Sequence, residues 1–355
     1  MVPTPIQIGS RTVGAGAPTF IIAELSANHG GSLDTALAIV DAAAEAGASA
    51  VKLQHYRPES ITVRSDLPEF RASSGSLWDG RQLYDLYEEA MTPWEWTGSL
   101  VDRIRGHGME WFSSPFDETA VEFLETFDPP AYKIASFELV DLPLIRIVAS
   151  TGRPLVMSTG MASLEEIDDA VSAARGVGCE DLVLLRCNSG YPASPAEMDL
   201  AAIPVMRERF DCHVGLSDHT LDNTAALVAT ALGAVAIEKH VILSRSAGGP
   251  DAEFSLEPAE LSELVRSVEQ ARQVLGSPRF GPSERERSSI VFRRSLRAAR
   301  AIAKGERVDR ENVRSFRPAG GLAPDKLSQI VGMAVTRDLE AGEAVTPDVL
   351  SDRSS

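Results

Sequence analysis

Short apolar runs without polar alternation recur along the chain: FIIAE (20–24), AVKLQ (50–54), EWFSS (110–114), AYKIAS (131–136), LVMS (155–158), LVLLR (182–186), HVGLS (213–217) and AVAIEK (234–239). Such runs suit strands buried on both faces, the habit of parallel sheets. Between them the hydrophobic period lengthens to that of amphipathic helices, as in LDTALAIVDAAAEAG (33–47) and SLEEIDDAVSAARGVG (163–178). The second of these opens with Ser-x-x-Glu, the spacing of a reciprocal helix N-cap. Gly47, Gly178 and Gly233 fall where helices should end. Eight strand–helix units in roughly 275 residues predict an α/β fold, a (β/α)8 TIM barrel rather than an open doubly wound sheet. The longest apolar run, around Ala225–Ile237, is too short for a bilayer and reads as a buried helix leading into a strand.

Two stretches break this rhythm. Arg57–Trp78 is an outsized loop after the second strand, rich in Ser, Pro and acidic residues. Loops on that side of a barrel shape the substrate pocket. Past Gln273 the periodicity lapses in the polar hinge GSPRFGPSERERSS. The division expected is a barrel over 1–280, a linker over 281–290 and a small second domain over 291–355. Within the last, AKGERVDRENV (303–313) and EAGEAVTPDVL (340–350) align at an offset of 37, a two-fold pseudo-repeat. A module this small is hard to stabilise alone, so packing on a barrel is expected.

Composition narrows the function classes. Lys+Arg of 34 against Asp+Glu of 51 gives a net charge of −17 at pH 7. That charge argues against general binding of nucleic acid or of an anionic membrane. The three cysteines, Cys179, Cys187 and Cys212, are too few and scattered for a disulfide framework or a Cys-based zinc site, and fit a reducing cytoplasm. The N-terminus, MVPTPIQIGSRTVGAG, lacks the basic and apolar regions of a secretion signal.

In a barrel the chemistry sits at the C-terminal ends of the strands, and every run here delivers polar groups to that rim. In order they are Glu24, Asn28 and His29; Lys52 and Gln54; Ser113 and Ser114; Lys133, Ser136 and Glu138; Ser158 and Thr159; Asn188, Ser189 and Tyr191; Ser217, Asp218 and His219; Glu238, Lys239 and His240. A lysine inside an apolar strand is costly without a partner. Lys52 and Lys133 therefore either join Ser114, Ser136, Ser158 and Ser217 in a cradle for a small phosphate- or carboxylate-bearing ligand, or pair with nearby glutamates. His219 and His240 end neighbouring strands spaced about 4.8 Å apart. They either share one divalent metal such as Mn²⁺, with water or substrate oxygens completing its shell, or act as hydrogen-bond partners to other groups of the site. His29 is a third candidate ligand, or a neutral donor in the first loop. Asp251, in the GGPD turn after the last strand, either orients a sugar hydroxyl or water or is an exposed turn acid. Tyr191 is either part of the site or a loop anchor.

The stretches IIAELSANHGGSLDTALAIVDAAAEAGASAVKLQ, FSSPFD, YKIASFE, STGMAS, GLSDHT, IEKH and GGPDAEFSLEP, in this order, resemble the sialic acid synthase family over nearly the whole chain. SFRPAGGLAP resembles that family's SAF, or antifreeze-like, domain. The resemblance implies condensation of phosphoenolpyruvate with an N-acylated amino sugar to give a nine-carbon 2-keto acid. LWDGRQLYDLYEEAMTPWEW (77–96), ELSANH and GGPDAEFSLEP are more similar to pseudaminic acid synthases, whose acceptor is 2,4-diacetamido-2,4,6-trideoxy-L-altrose, than to synthases that use N-acetylmannosamine. Synthesis of N-acetylneuraminate or legionaminate is the alternative.

The same resemblance implies residue roles. His219 and His240 would hold the metal, Mn²⁺ first with Mg²⁺ or Co²⁺ as alternatives. Lys52, Ser114, Lys133, Ser136, Ser158 and Ser217 would contact phosphoenolpyruvate. Glu24, Gln54, Tyr191 and Asp251 would surround the sugar and the reacting carbonyl, with Glu24 handling protons and Asn188 and Ser189 in the same site. Arg317 would reach the sugar's N-acyl group from the SAF domain of the other subunit, which implies a domain-swapped homodimer. Two departures stand out: CNSGYP where the family reads CTSAYP or CTNxYP, so that Asn188 replaces a threonine and Gly190 adds freedom, and RPAGGL for RPGxGL. The rival readings are a metal-dependent barrel hydrolase or isomerase, and a catalytically silent sugar-binding barrel. The silent barrel should have lost lysines or histidines from this set, and none is missing.

Overall fold

Each of the eight apolar runs turns one face toward helices and the other toward an enclosed interior, and together they close on themselves. The computed structural model describes residues 3–72 and 77–351. An N-terminal hairpin, β1 (Ile6–Ile8) and β2 (Arg11–Val13), comes first. The parallel barrel follows as β3 (Phe20–Glu24), β4 (Ala50–His55), β5 (Glu110–Pro115), β6 (Tyr132–Ile134), β7 (Leu155–Ser158), β8 (Leu182–Cys187), β9 (His213–Asp218) and β10 (Ala236–His240). It closes where β10 pairs with β3, from Ala236 opposite Phe20 to His240 opposite Glu24.

Every barrel strand is followed by helix. α1 (Leu33–Ala46) follows β3; α2 (Pro58–Ile61), α3 (Leu83–Ala90) and α4 (Thr97–Gly106) all follow β4; α5 (Glu118–Glu125) follows β5. Then come α6 (Leu142–Ala149), α7 (Leu164–Arg175), α8 (Ala202–Phe210), α9 (Thr224–Ala231) and α10 (Pro258–Leu275), one after each remaining strand. The expected capping box is present at α7, where Ser163 and Glu166 satisfy each other's backbone N–H.

The inward positions of the strands change chemistry half-way along. Toward the N-terminal end they are apolar: Ile22, Ala50, Phe112, Val156, Leu185 and Ala236 pack with Ile6, Ile8 and Val13 of the hairpin, which plugs that end. Two residues further along each strand, the side-chain period of a strand, the same face presents Glu24, Lys52, Ser114, Ser158, Cys187 and Glu238. Helix-facing positions such as Ile21, Val51, Trp111 and Ile134 form the larger core. Gly215 is required in β9, because a Cβ there would lie 2.5 Å from the Ala236 carbonyl oxygen.

Some boundaries differ from expectation. The fourth barrel strand stops at Ile134, because Ser136–Glu138 bend into a single 3-10 turn. The last strand starts at Ala236 rather than 234 and runs on to His240. α7 ends at Arg175 with Gly176 as its cap, so Gly178 (φ 95°) closes the following turn by donating to the Arg175 carbonyl. The stretch after β4 is not a plain loop: it contains α2 and a 3-10 turn at Pro68–Phe70, and part of it, 73–76, lies outside the described residues.

The chain divides into two units, Met1–Gly276 and Ser277–Ser355. In the second, β11 (Ser295–Ala298) pairs antiparallel with β12 (Val313–Phe316) over a core of Leu296, Ile302, Val308, Leu339, Val345 and Val349. The pseudo-repeat is real at atomic detail. Gly305 and Gly342 both adopt φ 87°, Val308 and Val345 are both buried, and Arg300–Glu306 and Arg337–Glu343 form matching ion pairs of 2.6 Å.

Gly215→Ala should destabilise the barrel by about 1–3 kcal/mol through overpacking against β10. Chemical denaturation of the two proteins, compared at equal slope, checks this; an unchanged midpoint would contradict the close approach.

Candidate active site

A cavity of about 800 Å³ opens at the C-terminal ends of the barrel strands. It brings together Lys52, Gln54, Lys133, Ser136, Ser158, Ser189, Tyr191, Ser217, His219, His240 and Asp251 from the expected set. Glu24, Ser114 and Asn188 do not line it. Glu24 and Ser114 are both buried, and the Ser114 hydroxyl has no hydrogen-bond partner. Arg317 belongs to the second unit, where it is exposed just past β12.

Both readings of the lysines hold at once. Lys52 lines the cavity and lies 2.7 Å from Glu24; Lys133 lines it too and lies 3.5 Å from Glu238. Glu238 Oε1 is also 3.9 Å from Lys52 and accepts a 3.1 Å hydrogen bond from Ser217. One carboxylate therefore bridges two ammonium groups inside the barrel. Burial opposes every one of these charges. For Glu238, Lys133 and Lys52 outweigh burial and push its pKa down. For Lys52, Glu238 and Glu24 outweigh burial and push its pKa up. Lys133 stays below the ordinary lysine value, because burial exceeds the pull of Glu238. Each ammonium has three donors, more than these contacts use. Glu238 was not singled out from the sequence as a site residue. The signal was its place in IEKH, at an inward position two residues before His240.

The two histidines meet, with ring centroids 5.3 Å apart. His219 donates from Nδ1 to the Asn188 carbonyl oxygen at 2.8 Å, which leaves the lone pair on Nε2. Burial opposes charge on His219, but Cys187 and that carbonyl lift its pKa. His240 Nδ1 is buried without a hydrogen bond, 3.7 Å from Asp251 Oδ2. Burial, then the positive charge of its neighbours, holds the His240 pKa well below the usual value. A neutral imidazole with an orphaned ring nitrogen, beside another whose tautomer is set by a carbonyl, is a donor set that fits a divalent cation. Among the described residues no third His, Cys, Asp or Glu completes a ready-made cluster. His29 does not join them: its Nδ1 accepts from the Gly31 N–H at 3.0 Å and its ring stands edge-on to Trp96 at 5.4 Å.

A polar relay backs the histidines. Gln54 donates to Glu24 (2.8 Å) and to Ser26 (3.1 Å), and Ser26 donates to Asp251 at 2.5 Å. Asp251 is thus buried, not an exposed turn acid, and burial raises its pKa. Other rim residues serve structure. Asn188 spends its amide on its own loop, donating to Glu197 O and accepting from the Gly190 N–H. Asp218 and Lys239 pair at 3.0 Å away from the cavity. Tyr191 packs against His219 with ring centroids 4.5 Å apart, which makes it part of the site.

Two further groups were given no role from the sequence, although Glu138 was placed at the rim. The Cys187 thiol is 3.9 Å from His219 Nδ1, and although burial opposes its ionisation, that contact lowers its pKa to about 7. Glu138 lines the cavity with its Oε2 unpaired, and burial raises its pKa to about 7.

The model of the NeuB family matches residues 39–279, and that of the SAF domain matches residues 293–351. This chain belongs to the NeuB family. It is 44% identical over 92% of its length to a pseudaminic acid synthase of Campylobacter jejuni, covering 95% of that protein. It is 40% identical to a pseudaminic acid synthase of Helicobacter pylori, over 93% of this chain and 97% of that one. Among solved structures, the N-acetylneuraminic acid synthetase of Leptospira borgpetersenii matches with a TM-score of 0.73 at 32% identity, covering 81% of this chain and 96% of that one. The chain is thus an enzyme of the NeuB family, a TIM-like barrel followed by a SAF domain. Among the described residues no helix is long and apolar enough to cross a membrane.

Glu138 yields a stability prediction. Its folded pKa of about 7 exceeds the ordinary 4.5, so between those values the native state binds the extra proton and stability falls as pH rises. Glu138→Gln should remove that loss and be more stable than the parent at pH 8 by up to about 3 kcal/mol, while matching it near pH 4.5. Denaturant titrations at the two pH values test this; an equal difference at both would contradict it.

Proposed function

We propose that this NeuB enzyme condenses phosphoenolpyruvate with 2,4-diacetamido-2,4,6-trideoxy-L-altrose and water, giving pseudaminic acid and phosphate. The observation that carries the reaction is the pair of buried lysines facing a cavity that also holds two imidazoles. Such a floor suits a small ligand bearing both phosphate and carboxylate. Identities of 40–44% to pseudaminic acid synthases support this acceptor.

Lys52 and Lys133 hold the donor's anionic groups, with Ser136, Ser158 and Ser217 adding hydroxyl contacts and fixing the attack geometry. C3 of phosphoenolpyruvate then bonds to C1 of the open-chain aldose, and the carbonyl electron pair moves to oxygen, which takes up a proton. Water adds at the cationic C2 and gives up a proton. The C2–O bond to phosphate then breaks, phosphate leaving with the electron pair, while the C2 hydroxyl oxygen forms the keto C=O and gives up its proton. Glu138, facing the cavity near neutral pKa, exchanges protons with the sugar oxygen or the incoming water. Glu24 does not face the cavity, so its part is to hold Lys52 and Gln54 in place. A divalent metal held by His219 and His240, Mn²⁺ with Mg²⁺ or Co²⁺ as alternatives, would supply Lewis acidity that polarises the aldehyde.

The reading extends to assembly and setting. Arg317 forms no hydrogen bond or ion pair among the described residues, which suits a guanidinium that acts on the sugar's acyl group in a domain-swapped homodimer. A cytoplasmic setting fits the reduced, buried cysteines.

Incubation with Mn²⁺, phosphoenolpyruvate and a panel of N-acyl aldoses should release phosphate fastest with the diacetamido-trideoxy-altrose and give a keto acid of pseudaminic acid's mass. A chelator should stop turnover, and Arg317→Ala should raise the KM of the sugar far more than that of phosphoenolpyruvate. Faster turnover of N-acetylmannosamine would overturn the acceptor. Full turnover in chelator would overturn the metal, and equal KM effects would overturn the role of Arg317.

A further inference from the structure

The second unit carries an internal control. Its halves repeat at an offset of 37, so Arg297 and Ala334 hold matching positions, and the bridges Arg297–Ala344 and Arg307–Ala334 map onto each other. The fold thus builds this position with alanine in one half and has no need of a guanidinium there. Arg297 also faces Arg314 across β11 and β12, a like-charge pair that costs stability. Something other than the fold accounts for it.

Arg297 commits three donors. Its Nε donates to the Pro318 carbonyl oxygen at 2.9 Å, and its two terminal nitrogens donate to the Gly342 and Ala319 carbonyl oxygens, each at 2.7 Å. Bonds of this length from a charged donor are strong ones. Two of the three carbonyls belong to the turn 318–321, directly after Arg317. The same turn is held on its other sides. Ser295 donates from Oγ to the Pro318 carbonyl oxygen at 2.8 Å, and the Ala319 N–H donates to Val291 O at 2.8 Å. Gly321 packs so closely on β11 that a Cβ would lie 2.3 Å from the Leu296 carbonyl oxygen. Gly320, at φ 121°, is the loosest residue of the turn, and Arg297 grips the carbonyl just before it. The backbone after Arg317 is therefore fixed while the Arg317 side chain stays exposed.

Resting on the role of Arg317 proposed above, we infer that Arg297 is a positioning residue for the acceptor: it locks the 318–321 turn so that the Arg317 guanidinium meets the sugar's acyl group in one pose. A turn that samples several poses binds through its competent fraction alone, so loss of the lock raises the sugar's KM and spares kcat.

The test uses the full chain with Mn²⁺, phosphoenolpyruvate and the diacetamido-trideoxy-altrose. Arg297→Met keeps the stem and removes the donors, whereas Arg297→Lys keeps the charge. In Arg297→Met, hydrogen–deuterium exchange across 318–322 should quicken by about tenfold, as loss of one charged hydrogen bond would give, with exchange in the barrel strands unchanged. The KM of the sugar should rise by about three- to tenfold, with kcat and the KM of phosphoenolpyruvate unchanged. Arg297→Lys should recover part of both effects. Added to Arg317→Ala, Arg297→Met should raise the sugar's KM no further, because the group it positions is gone. Unchanged exchange at 318–322 would overturn the lock. Quicker exchange with an unchanged sugar KM, a rise shared by phosphoenolpyruvate, or a full further rise on top of Arg317→Ala would overturn the role toward the acceptor. Equal KM effects in Arg317→Ala would overturn the reading of Arg317, and the role of Arg297 toward the acceptor with it, even where the exchange upholds the lock.

Discussion

Two lysines buried in an apolar barrel are the constraint on which the rest of the structure depends. An ionised ammonium in such a place is unstable unless opposite charge is brought to it. Glu238 does this for both, and Glu24 does it a second time for Lys52. The consequences run outward. β10 must sit within reach of β4 and β6 across the interior, which only a closed barrel allows. The inward positions must change from apolar to polar half-way along the strands, and the opposite end must be sealed, which the N-terminal hairpin does with Ile6, Ile8 and Val13. The two lysines are not equivalent. Lys52 is held by two carboxylates and is the more firmly charged, whereas Lys133 has one at longer range and keeps more of its donors free.

The cavity divides its work among elements of different rigidity. Charge and hydroxyl groups stand on strands, where position is best defined. The imidazoles stand at the ends of adjacent strands, each with its surroundings set: His219 by the Asn188 carbonyl, His240 by burial beside Asp251. Glu138 sits on the turn where the fourth barrel strand stops early, which frees its carboxyl to face the cavity. Ile61, Leu77, Leu83 and Leu86, from the long insertion after β4, complete the cavity lining with apolar side chains.

Much of this was legible in the sequence, for a physical reason. A strand covered on both faces writes an unbroken apolar run, so eight runs announced eight strands, and their consecutive order put His219 and His240 side by side. What escaped detection depends on closure or on local turns. Glu238 lies 105 residues from Lys133, and nothing local marks it as the shared counter-charge. Asn188 looked like a ligand group because it follows a strand, but its amide is consumed within nine residues of itself. Glu24 looked accessible for the same reason, but it is fully buried beside Lys52, whose ammonium lies 2.7 Å from it. The apolar lining from this insertion was anticipated as a loop over 57–78 and as the discriminating stretch 77–96; Leu83 and Leu86 sit in a helix whose period shows which face is apolar but not what that face covers.

The central claim is that these paired lysines are the donor's binding floor. Titration of phosphoenolpyruvate into the protein and into Lys133→Met by calorimetry tests it most directly. The account predicts a Kd weaker by about ten- to a hundredfold in the variant, the worth of a charged hydrogen bond, with the fold retained. An unchanged Kd would contradict it and leave the lysines as a structural ion network alone.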